Sequence, residues 1–192
     1  MMARRAVKQE ALAAIEAGFP QILALRQAIA HPSQPRRLEA LFRDLAKLKP
    51  SREPDDIEEL IWALWIGHDN AHASADMAAA VEAMSAGAMD LAAAVFDRLV
   101  LEWPDWAEAW NKRATLAFIA KRDAEALADI AATLRLEPRH FGAIAGFGQI
   151  CLRHNRLREA SAAFQMALTI NPHLQGVAEV IRDIADVEGP MH

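Results

Sequence analysis

Apolar residues recur along this chain at steps of three and four, the spacing that lays a stripe down one side of an α-helix. Leu38, Leu41, Phe42, Leu45 and Leu48 form one stripe, which Pro50-Ser51 interrupts. Ile57, Leu60, Ile61, Leu64 and Trp65 form the next, behind a start signal in which Glu53-Pro54 precedes Asp55 and Asp56. Together they predict a helical hairpin with Trp62 and Trp65 in its core, packed as an atypical cap on the first unit of the region that follows. Near the other end Val177, Val180, Ile181 and Ile184 share one face of a helix that Gly189-Pro190 terminates. At the start, Leu12, Ile15, Phe19, Ile22, Leu25 and Ile29 keep the helical step, but Gly18 and Pro20 fall inside the run and predict a break. No stretch alternates apolar and polar residues, so the pattern predicts an all-α chain.

Between residues 73 and 174 the pattern repeats. Pro104, Pro138 and Pro172 stand 34 residues apart; an alanine (Ala92, Ala126, Ala160) lies twelve before each, and Phe96, Ile130 or Phe164 lies eight before. This period, with A-x3-F and a closing proline, predicts two short antiparallel helices per unit, stacked into a solenoid. Small residues at Ala80, Ala114 and Gly148 on the first helix, and at the three alanines on the second, let backbones approach closely. The bulky residues fill the space between hairpins. Each proline ends its helix, because it cannot donate to the helical ladder and pushes the residue before it out of the α region.

In these positions the chain resembles the tetratricopeptide (TPR) repeat family. The three units run 73–106, 107–140 and 141–174, and the middle one matches best, with Trp110, Ala114, the turn Lys121-Arg122-Asp123, Ala126, Ile130 and Pro138. The first has Asp76 in the tryptophan place but keeps Gly87, and the third keeps Gly148 and Ala167. The resemblance implies a right-handed superhelical solenoid of antiparallel helix pairs. Around it lie an arm at 1–35, an atypical helical hairpin cap at 36–72, and a capping helix and tail at 175–192.

Charge divides the chain unevenly. Residues 1–50 hold nine Lys/Arg against four Asp/Glu, and the remainder holds twelve against twenty-two. An acidic repeat region disfavours nucleic acid as a partner. The lone Cys151 makes no internal disulfide and reads as a small buried hydrophobe. No apolar run approaches the ~20 residues of a membrane span. Glu10, Glu16 and Arg26 interrupt what a secretory leader would keep apolar, which favours a cytoplasmic place. The small-residue triplet Ala28-Ile29-Ala30 keeps a periplasmic alternative open; Arg4-Arg5 alone is too weak for a twin-arginine signal.

Candidate chemistry is sparse. His68 and His72 have the i, i+4 spacing of metal ligands, but Asp69-Asn70 between them reads as a helix end. His140, His154 and His173 fall near repeat turns. Gly142, Gly146 and Gly148 lie in a helical register with no strand before them, so they permit close packing rather than hold a phosphate. No cofactor, metal or catalytic residue is implied. The resemblance implies instead a groove lined by the first helix of each unit: Met77, Val81 and Met84, then Asn111, Thr115 and Phe118, then Ala145, Gln149 and Leu152. Such a groove suits a peptide or helix of another protein, with the two amides free for backbone contacts. The places where family members grip a C-terminal carboxylate hold Met77, Val81, Lys112, Gly142 and Gly146, so only a lysine remains. The expected function is a non-enzymatic scaffold or adaptor. The alternative is a fixed subunit held by its convex face and basic arm, with self-association open and the arm a possible occupant of the groove.

Overall fold

The computed structural model describes residues 2–27 and 36–188. Ile29, the triplet around it, and Gly189-Pro190 lie outside the described residues. The helices are α1 (Met2–Ala24, running into a 3-10 turn), α2 (Arg36–Leu45), α3 (Pro54–Ile66), α4 (Ala71–Ser85), α5 (Met89–Glu102), α6 (Ala107–Ile119), α7 (Asp123–Leu136), α8 (Phe141–Arg153), α9 (Leu157–Ile170) and α10 (Val177–Glu188). There is no strand among the described residues. The protein is an all-α solenoid built on the pairs α4/α5, α6/α7 and α8/α9.

Two kinds of turn recur with the 34-residue period. Inside each pair a residue adopts left-handed backbone, Gly87 (φ 80°), Lys121 (φ 60°) and Asn155 (φ 56°). The amide after it reaches back five residues, from Ala88 to Ala83, Arg122 to Ala117 and Arg156 to Cys151, each at 2.8 Å. This Schellman closure satisfies carbonyls that the ending helix leaves orphaned. Between pairs Trp103, Glu137 and Asn171 swing out of the helix at φ −128°, −132° and −125°, as a residue before proline must.

Phe96, Ile130 and Phe164 are buried at the pair interfaces. A Cβ on Gly148 would lie 2.8 Å from the Phe164 ring, so this glycine admits the aromatic. Cys151 is fully buried, and burial pushes its thiol up to about 12, so it behaves as a core residue. Ile184 of α10 is buried against α9, with Val177, Val180 and Ile181 packed on the same core.

Two accessory elements depart from expectation. α1 continues unbroken through Gly18 and Pro20. It lies across α7 and α9 above α8, with Ala11, Ile15, Ile22 and Leu25 buried. Burying that stripe outweighs the helix-breaking cost of a proline, roughly 3 kcal/mol. Gly18 lets the backbone settle on Phe147, where a Cβ would stand 3.1 Å from the ring. The arm is therefore a core element on the second-helix side, away from the groove of first helices.

The α2/α3 hairpin packs mainly beyond the first pair. Leu38, Phe42, Leu45, Ile57, Ile61 and Trp65 form a core with Phe141 of α8, and with Ile170 and Leu174 at the end of α9. α3 runs like a strap along the proline-bearing turns. The Trp106 indole donates to the Trp65 carbonyl (2.8 Å), the Trp65 ring stacks on His140 (4.1 Å), and Asn171 donates to Glu58 (2.9 Å). Those residues of three successive turns present donors and flat rings that two tryptophans and a carboxylate on one helix can match.

Candidate protein-binding groove

The first helices α6 and α8 leave a cavity of about 150 Å³ between them. Its floor is apolar, from Ala114, Ile130, Ala143 and Ile150, and its wall on α8 is lowered by Gly142 and Gly146. Asn111, Thr115, Phe118 and Gln149 complete the lining, so four of the nine expected groove residues meet at one depression. Gln149 is exposed, Thr115 and Phe118 half-buried. Asn111 is mostly buried, and its amide is already donated to Glu108 at 3.1 Å. Ala145 and Leu152, also on α8, are half-buried beside the cavity.

The remaining three lie on α4, apart from this cavity. Val81 and Met84 are half-buried against the core of the first pair. Met77 is corrected: it is 1% exposed, in the core with Phe96, Leu99 and Trp106, and presents nothing to a groove. α4 offers mainly alanines to that core (Ala73, Ala80, Ala83), so the long methionine is drawn in to fill it.

Both ends of the cavity are bounded by charges that are matched within the chain. At the α6 N-terminus Glu108 and His140 are fully buried, with His140 Nε2 2.8 Å from Glu108 Oε2. His140 Nδ1 accepts from the Ala143 amide and caps α8, so the proton sits on Nε2 and is donated to Glu108. Lys112 Nζ pairs with the other carboxylate oxygen at 3.1 Å and lies 5.4 Å from the Trp62 ring centroid. Burial alone would raise the Glu108 carboxyl, but the His140 hydrogen bond and the Lys112 charge together hold it below the ordinary carboxylate value. At the opposite end Arg153 stacks 3.8 Å from the Phe118 ring centroid, donates to the Phe118 carbonyl, and pairs with Asp123, which also meets His154 at 2.7 Å.

This electrostatic frame escapes reading by composition. Glu108 and His140 are 32 residues apart, and the histidine reads locally as an ordinary turn residue. The pairing signal lies in α3: Trp62 and Trp65, three apart, require a surface with a gap, and Gly142 provides it, since a Cβ there would fall 2.6 Å from Trp62. His68 precedes α4 and its ring packs on Trp103 and Trp106, while His72 lies in the first turn of that helix, so the two do not share a helical face. No group of three metal-ligating side chains occurs among the described residues, and none of their helices is long and apolar enough to cross a membrane.

No protein-family model matches the chain. A TPR repeat-containing protein of Rhizobium etli is 30% identical over 168 residues, covering 86% of this chain and 80% of that protein. Among solved structures, the first TPR of Spaghetti (RPAP3), bound to the HSP90 peptide SRMEEVD, superposes with a TM-score of 0.57 at 19% identity, over 60% of this chain and 92% of that one. That likeness concerns the fold. The repeat register, the paired helices with their recurrent turns, and the relationship to the Rhizobium protein together show that the chain belongs to the TPR repeat-containing proteins.

Proposed function

We propose that this protein is a non-enzymatic scaffold or adaptor that holds a helix or extended segment of another protein over the α6/α8 cavity. The observation that carries this reading is the cavity's combination of an apolar floor, an exposed Gln149 amide and ends whose charges are already neutralised. An apolar anchor side chain would enter without leaving a charge unpaired, and Gln149 would bond the partner's backbone. The TPR neighbour's bound peptide supports a protein partner in general. The acidic tail of that peptide has no counterpart grip here, because Lys112 is held by Glu108 and Trp62. α1 is engaged in the chain's own core, which favours the groove over the arm as the partner's seat.

Affinity capture from the native cell tests the proposal with the intact chain and two variants. Gln149→Trp fills the depression and Phe118→Glu forces a carboxylate to desolvate against the ligand. Both are expected to lose at least about tenfold of the captured partner, which is about 1.4 kcal/mol of binding, while circular dichroism stays unchanged. Undiminished capture by both variants would contradict it.

A further inference from the structure

Among the described residues there are two equivalent grooves on the second-helix side, one filled and one open. α1 fills the groove walled by α7 and α9 and floored by α8. One repeat earlier, α5 and α7 wall a groove floored by α6. It holds two cavities of about 280 and 520 Å³ that share Ala93, Leu116 and Arg122 and are therefore continuous. We propose that this open groove is a second docking site, for an amphipathic helix of a partner protein lying as α1 lies in its neighbour.

The seating of α1 defines the chemistry. Its Glu16 pairs with Arg156 at the start of α9 (3.0 Å), its Gly18 rests on Phe147, and its Gln21 donates to the Ala131 carbonyl of α7 (3.1 Å). Glu16 and Gln21, five residues apart, project to opposite walls while Ile15 and Ile22 go down. Subtracting one 34-residue period gives the open groove's equivalents: Arg122, Arg113 and Asp97. Arg156 is braced by Glu159 and reaches Glu16; Arg122 is braced in the same way by Glu125 and is half-exposed, with no second carboxylate among the described residues. The floor differs, since Arg113 takes the place of Phe147 and is tied to Asp97 (3.0 Å) and Asp129 (2.7 Å).

The occupant therefore carries an apolar stripe for Met89, Ala93, Leu116 and Ile119, the last 48% exposed. It places a carboxylate opposite Arg122 and, five residues later, a cation opposite Asp97, whose side chain is 66% exposed. Charge complementarity at those two points, and a shared α7 wall with the filled groove, distinguish this helix from an arbitrary apolar segment.

The probe is a fluorescein-labelled synthetic peptide of residues 5–26 carrying Gln21→Arg, titrated into the full-length protein and read by anisotropy. Saturable binding is expected. Arg122→Glu or Ala93→Trp in the protein is expected to weaken it at least about tenfold, and a second peptide with Glu16→Arg to recover affinity for the Arg122→Glu variant. Arg156→Glu, which guards the filled groove, is expected to leave binding unchanged. Absence of saturation up to the order of 1 mM, or loss with Arg156→Glu in place of Arg122→Glu, would overturn the proposal.

Discussion

Among the described residues the second and third helix pairs are clad, and the back of the first is bare. α1 covers the back of α7 and α9, and the α2/α3 hairpin straps the turns leading into α8 and out of α9. The first pair shows Leu91 and Leu101 of α5 at 60% and 80% exposure, and its back groove is open. Three units on one register thus have three environments. Single residues decide this: Phe147 where the preceding unit has Arg113 invites an apolar helix, and Gly142 where it has Glu108 receives Trp62. In a repeat protein the consensus positions build the stack, and the positions that deviate choose what covers it.

If cladding is integral to stability, Trp65→Ala on the strap should cost about 4 kcal/mol in chemical denaturation, because it empties a core shared with Phe42, Phe141 and His140. Glu108→Ala should follow at about 3 kcal/mol, since His140 would lose its acceptor and Lys112 its partner inside the fold. The pH dependence has a definite sign. A carboxyl held below its ordinary value of 4.5 adds stability at neutral pH, which is lost as the pH falls below that value and through its folded value. Glu108→Gln should flatten that part of the acid limb. Trp110→Ala should cost less, about 2 kcal/mol: its ring is half-buried, with Arg113 on its face and its indole donating to Pro104 O at 3.0 Å. A larger loss for Trp110→Ala than for Trp65→Ala would reverse the comparison. The smallest effect is expected at Lys121, whose left-handed backbone is matched by glycine in the first unit; Lys121→Gly should raise stability by about 0.5 kcal/mol in thermal unfolding.

The stack was legible because its signals are local and redundant. Alanine, bulky residue and proline recur in three copies, and each reports its own neighbourhood. The covers were not, because their signals are relational. Nothing near Gly18 or Pro20 announces a continuous helix until Phe147, about 130 residues on, offers a floor for it. Met77 looked available for the same reason: a first-helix position points to the groove only if the core behind it is filled by others, and α4 lacks the bulk to do so. Phe118 and Gln149 were placed by the groove positions that the family resemblance implies, and they do line one cavity.

The central claim, that a partner sits over the α6/α8 cavity, is tested most directly by genetically encoded benzoylphenylalanine at Leu152, beside the cavity, with the same photo-crosslinker at Leu48, 96% exposed between α2 and α3, as the control. Irradiation in the native cell should yield a crosslinked partner from Leu152 and little from Leu48. A partner captured from Leu48 and not from Leu152 would contradict the account.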